Sequence, residues 1–224
     1  MRKAAEGEEK PYYNSAEPLV PKTTNLRSIA EAAKACRACH LWRHGTQTVF
    51  GEGATHPEIM LVGEQPGDKE DVEGHPFVGP AGRVLNESLA QAGIDPKRVY
   101  ITNAVKHFKW EPRGQRRLHK KPNRAEMGAC RPWLEAEIRV LQPQIIVCLG
   151  STAAQSVIGP GIKVTEKRGQ FMSSILGPEV MVTVHPSSLL RVPDHDKRIE
   201  EREKFVSDLK KVAERLALRH RRSA

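Results

Sequence analysis

Glu64, Gln65 and Asp68 stand directly behind a short apolar run in the stretch Glu58-Ile-Met-Leu-Val-Gly-Glu-Gln-Pro-Gly-Asp68. Two carboxylates and an amide in such a turn can accept a proton, support a cationic centre or fix a water molecule. Asn103 follows a second apolar run, residues 99–102, and His185 with Ser187 follows a third, residues 180–184. His119 closes Gln115-Arg-Arg-Leu-His inside a basic segment, where an imidazole serves as nucleophile, acid–base group or phosphate contact. The chain has four cysteines, Cys36, Cys39, Cys130 and Cys148.

Residues 59–62 have the unbroken hydrophobicity of a strand buried on both faces, and Gly63, Pro66 and Gly67 force a turn where it ends. Residues 99–102, 144–149 and 180–184 read as further strands. Helices are expected over 26–36 behind the N-cap Asn25, from Pro80 to about 93, from a capping box at Asn123 and Glu126 to about 141 with a bend at Pro132, over 151–158, and over 197–218. Alternating strands and helices predict an α/β fold, a three-layer α/β/α sandwich on a mostly parallel central sheet. Ligands of such sheets bind beyond the carboxyl ends of the strands, so the polar residues behind them converge on one edge.

With 224 residues and 38% hydrophobic content, the chain is expected to form one domain over 23–218, with a disordered tail at 1–22 and a basic tail at 219–224. Neither a signal peptide nor a membrane span is apparent, so a cytoplasmic protein is expected, with no membrane partner and as a monomer. The net charge of +9 suggests a polyanionic partner. Between Lys106 and Arg124, eight Lys and Arg face one acidic residue, Glu111, with Phe108 and Trp110 interleaved. Pro112, Gly114 and Pro122 argue against a helix, so a long loop is expected, either functional or simply solvated.

A Cys-x-x-Cys pair plus two distant cysteines suggests a metal or cluster rather than disulfides in an intracellular chain. Four thiolates suit zinc or an iron–sulfur cluster, whereas small buried thiols at Cys130 and Cys148 are the plainer alternative. A thioredoxin-like role fits poorly, because this pair follows a helix outside any βαβ unit.

Four ordered motifs together resemble the iron–sulfur uracil-DNA glycosylases, and more closely their X-type branch, UdgX. They are Gly63-Glu-Gln-Pro-Gly-Asp68, Pro76-Phe-Val-Gly-Pro-Ala-Gly-Arg83, Thr102-Asn-Ala-Val-Lys-His-Phe108 and His185-Pro-Ser-Ser-Leu-Leu-Arg191. The likeness covers about residues 36–215 and implies a [4Fe–4S] cluster on Cys36, Cys39, Cys130 and Cys148, with zinc as the alternative. The stretch from Gln115 to His119 resembles the basic loop of the X-type branch, which ends in a reactive histidine; Gln115 replaces a lysine of that pattern and Leu118 an isoleucine.

The resemblance implies uracil-containing DNA, with single strands preferred, as substrate. A flipped base would stack on Phe77 and be read by Asn103, whose amide both donates and accepts and so suits an imide edge. Gly63, Gly67 and Ser187 would line the pocket. His185, helped by Gln65 and the backbone amides of the turn, would stabilise the departing base, and Glu64 and Asp68 the cationic sugar. His119 would capture C1′ of the sugar, leaving protein and abasic DNA joined, with Arg117 holding the loop and Glu64 orienting the imidazole. Arg116, Lys120, Lys121 and Arg191 are the expected backbone contacts. The alternatives are a turning-over [4Fe–4S] glycosylase, in which His119 only touches backbone, and a non-catalytic iron–sulfur DNA-binding protein.

Overall fold

The computed structural model describes residues 14–223. The elements run α1 (Leu26–Lys34), β1 (Glu52–Gly53), β2 (Ile59–Gly63), α2 (Asp68–Glu73), α3 (Pro80–Gln91), β3 (Val99–Asn103), β4 (Trp110–Arg113), β5 (Arg116–His119), α4 (Arg124–Leu141), β6 (Ile145–Leu149), α5 (Ser151–Val157), α6 (Val164–Lys167), β7 (Phe171–Met172), β8 (Glu179–Thr183), α7 (Pro186–Leu190) and α8 (His195–Ser223). Six strands form one sheet in the order β1-β3-β2-β6-β8-β7. The four inner strands are parallel, and the two-residue edge strands β1 and β7 are antiparallel to their neighbours.

Alternation along β2 splits its side chains between two cores. Ile59 and Leu61 join Val147, Met181 and residues of α3, α7 and α8 on one face, while Met60 and Val62 join Ile146, Val182 and residues of α4 and α5 on the other. Each fully buried Leu, Ile or Val contributes about 1.5–3 kcal/mol, which is why a strand apolar at every position holds the centre of the sheet. The chain leaves β2 toward β3 on one side and leaves β6 toward β8 on the other, so the loops after β2 and β6 diverge at a topological switch point.

The helix caps form as the sequence indicates. Asn25 accepts from the Ser28 amide, and Asn123 and Glu126 make a reciprocal capping box. Pro132 lies inside α4 and does not end it.

Three expectations are corrected. Residues 14–22 are not a free tail: the Ala16 amide donates to the Ala129 carbonyl at 2.9 Å and its side chain is fully buried, while residues 1–13 lie outside the described residues. The basic tail begins as helix, since α8 continues to Ser223 and Arg219 bonds the Gln144 carbonyl and Glu179. The basic loop is a β-hairpin, β4 paired with β5, turning at Gly114 with φ of 59°. Pro112 is tolerated because a two-stranded ribbon leaves one side of each strand without ladder partners.

Candidate active site

Gly63 ends β2 where two chemical groups meet. A side chain there would stand 2.3 Å from the Asn103 Oδ1 and 2.6 Å from the Phe77 ring, so the absence of one lets the amide and the ring share a pocket. Asn103, at the end of β3, is almost fully buried, and its carbonyl accepts from Lys106 Nζ at 2.8 Å. That ammonium is itself buried against Glu137 at 2.6 Å, and Glu137 also accepts from Tyr100 and Thr102. The network fixes the chain behind Asn103 from below.

Phe77 adopts a left-handed backbone with φ of 57°, a conformation that costs a non-glycine residue about 1–2 kcal/mol. Two contacts hold it there. Gly82 packs so closely that a side chain on it would meet the Phe77 carbonyl at 1.6 Å, and Glu70, reaching from α2, accepts from the Gly79 amide at 2.9 Å. Strain kept by its surroundings at the rim of a pocket is typical of a ligand clamp.

The Phe77 ring stacks against His185, with centroids 5.8 Å apart and planes at 29°. His185 caps α7: its Nδ1 accepts from the Ser187 amide at 3.2 Å and lies 2.8 Å from the Ser187 hydroxyl, which also accepts from Arg191. An amide can only donate, so the Nδ1 lone pair is used and the ring proton resides on Nε2. Burial, then the nearby Arg191 and His119, lower its pKa to about 4. His185 is therefore a neutral Nε2–H donor near pH 7.

His119 ends the hairpin opposite Trp110, with Nε2 3.5 Å from Glu64 Oε1 and about half its side chain exposed. Burial lowers its pKa, with Glu64 opposing and Arg191 adding to the effect, so the neutral form with a free lone pair is favoured. The hairpin is anchored by Arg117, which bonds Asp68 Oδ1 through Nε at 2.6 Å and Asp71 Oδ2 through Nη1 at 2.5 Å while covering the Phe108 and Trp110 rings.

The expected roles shift for several residues. Gln65 donates to the Lys109 and Lys120 carbonyls and accepts from the Lys109 amide, so its side chain clasps the base of the hairpin instead of facing the pocket. Asp68 is engaged by Arg117. Gly67 caps α2 with the Glu70 carboxylate against it, where an added side chain would meet Glu70 at 2.5 Å. Lys120 pairs with Glu111 and Lys121 bonds Ser151, while Arg116 is exposed on β5.

Cys36, Cys39 and Cys130 share one buried cluster, and two N–H donors are aimed at it: Trp133 Nε1 at Cys36 Sγ and the Lys106 amide at Cys130 Sγ, each at 3.2 Å. Burial pushes the Cys39 thiol up to about 11 and Cys130 up to about 12. Buried thiols, two of them with sulfur-directed donors, fit a metal cluster, whose positive charge would be needed to release their protons. Cys148 lies in β6, in the core between the sheet, α4 and α5. All four cysteines are buried, with Cys148 on the face of the sheet that α4 covers. Among the described residues no group of three or more His, Cys, Asp and Glu is gathered closely enough to hold a single metal ion as it stands.

Sequence reasoning missed Thr152, Glu70 and Asp71. Thr152 Oγ1 donates to Glu64 Oε2 at 2.5 Å from the turn after β6, a place the strand-end argument could have searched. Glu70 and Asp71 gave no signal of their own, since a run of acids opening a helix reads as a favourable N-terminus.

The family model described as "Uracil DNA glycosylase superfamily" matches residues 50–210. A Type-4 uracil-DNA glycosylase of Thermotoga maritima is 39% identical over 190 residues, covering 83% of this chain and 95% of the relative. Type-4 uracil-DNA glycosylases of Sulfurisphaera tokodaii and Saccharolobus solfataricus are 36% and 35% identical, covering 85% and 86% of this chain and 84% and 87% of the relatives. Among the described residues no helix is long and apolar enough to cross a membrane.

Proposed function

The chain belongs to the uracil-DNA glycosylase superfamily, and from that premise we propose that it excises uracil from DNA and then becomes bound to the abasic sugar through His119. The observation that carries the second part is the anchored hairpin, which presents His119 to Glu64 at the mouth of the pocket formed by Gly63, Phe77, Asn103 and His185.

A uracil turned out of the strand stacks on Phe77, and the Asn103 amide pairs with its imide edge. As the C1′–N1 bond breaks, the electron pair moves onto the base, and the neutral His185 Nε2–H donates to the uracil oxygen that gains charge. The sugar becomes cationic beside the Glu64 carboxylate. A ring nitrogen of His119 gives its lone pair to C1′, and the other ring nitrogen loses its proton as the uracil anion gains one. An alkylated imidazole is a poor leaving group without a general acid, so the adduct persists.

Cys36, Cys39, Cys130 and Cys148 would hold a [4Fe–4S] cluster, which there supplies a cross-link between the segment after α1, α4 and the sheet; zinc is the alternative metal. Single-stranded DNA suits the exposed basic ribbon, whose affinity falls as salt rises. We further propose a monomeric, cytoplasmic protein.

A turning-over glycosylase is the second reading, favoured by the 35–39% identity to proteins named simply as Type-4 glycosylases. Mixing the protein with a labelled single-stranded oligonucleotide carrying one uracil, then boiling in SDS and running a denaturing gel, separates the two. A protein-sized shift absent with thymine supports the covalent reading; strand cleavage only after alkali supports turnover.

A further inference from the structure

We infer that Thr152 is a positioning residue that fixes the Glu64 carboxylate so that Oε1 faces His119. The inference rests on the functional reading above, in which Glu64 serves the reaction at C1′.

The switch point supplies the geometry. Glu64 follows β2 and Thr152 follows β6, adjacent parallel strands whose outgoing chains diverge, so the two residues meet across the crevice. Thr152 is fully buried in the first turn of α5. A helical threonine ordinarily satisfies its hydroxyl on a carbonyl of the preceding turn; here the hydroxyl reaches instead to Glu64 Oε2 at 2.5 Å. A carboxylate only accepts, so Thr152 is the donor, and its β-branched side chain has few rotamers from which to miss. Glu64 is held at a second point by its own carbonyl, which accepts from the Val105 amide at 3.0 Å. With Oε2 bound, Oε1 is left toward His119 Nε2 at 3.5 Å. A carboxylate free to rotate would spend part of its time turned from the imidazole, and catalytic groups tolerate little misplacement.

The test uses the full chain with a saturating single-stranded uracil oligonucleotide, reading uracil release and cross-linking in single turnovers, and affinity for the same strand with thymine. Thr152→Val keeps the shape and removes the donor. The expected result is about a tenfold to hundredfold slower cross-linking, the usual consequence of losing a hydrogen bond to a charged group. Thymine-strand affinity stays unchanged, and Thr152→Ser recovers the rate to within about threefold. Because Thr152 acts through Glu64, Thr152→Val adds nothing further in a Glu64→Gln background.

Equal rates for wild type and Thr152→Val, no recovery by serine, or an additive loss on Glu64→Gln would overturn the inference. Should Thr152→Val fail to fold, the serine variant and its combination with Glu64→Gln decide the matter by the same criteria. A wild-type protein that neither releases uracil nor cross-links overturns the functional reading itself, and is seen before any variant is made. If uracil is released by turnover without cross-linking, the same variants are read on the release rate.

Discussion

The fully buried carboxylate of Asp71 receives the Arg117 guanidinium at 2.5 Å, so a residue one turn into α2 holds the hairpin that carries His119. Asp71 also accepts from the Thr46 amide and hydroxyl, so its charge is satisfied from three directions. Truncating one partner of such a buried pair costs about 3–5 kcal/mol. Asp71→Ala should lower stability by about 3 kcal/mol, raise amide exchange in residues 110–119 and slow cross-linking more than uracil release. Unchanged exchange in the hairpin would show that Asp68 and Gln65 suffice to secure it.

Gly63→Ala should remove uracil release by at least about a hundredfold. The new methyl group would stand within 2.6 Å of both the Asn103 oxygen and the Phe77 ring, and neither can retreat from its packed position. Calorimetry should show a folded protein with a modestly lower melting temperature. A variant that keeps wild-type release would mean that the base binds elsewhere.

The sequence made the framework legible because its signals were local. The run at residues 59–62 and the capping box of α4 each state their structure within a few residues. The hairpin escaped because Pro112 and the density of positive charge argued for irregularity, whereas its order comes from distant partners: Gln65, Asp68 and Asp71. Residues 14–22 escaped likewise, since a polar segment without period gains its order from α4 and the cysteine segment. The strand-end polar residues gather at one edge of the sheet, but the direction in which each side chain turns is not written locally. Gln65 and Glu64 are neighbours in sequence, and one clasps the hairpin while the other meets His119.

Cys36→Ala, Cys39→Ala, Cys130→Ala and Cys148→Ala should each lower the iron content and visible absorption of anaerobically purified protein. The first three changes remove members of the thiol nest, and the last removes a buried thiol from β6. Iron retained in full by Cys148→Ala would reduce the set to the other three.

Stability should fall on mild acidification. Burial holds His107 and His185 near a pKa of about 4 in the folded chain, against 6.5 in the unfolded one. Their folded values are depressed, so the unfolded chain takes up protons first. Stability is therefore fully present above pH 6.5 and is lost as pH falls through about 4, with a slope of about 3 kcal/mol per pH unit for two protons. Denaturant melts of wild type and His107→Gln between pH 7 and 4.5 check this. A variant with the same slope as wild type would contradict it.

The central claim is tested most directly by comparing wild type with His119→Ser on one labelled single-stranded uracil oligonucleotide. Both uracil release and the SDS-resistant protein–DNA band are measured. The proposed function predicts a stable band for wild type, and for His119→Ser no band but continued release with turnover, since Gly63, Phe77, Asn103 and His185 are untouched. A band of equal strength from His119→Ser would contradict the assignment of His119 as nucleophile.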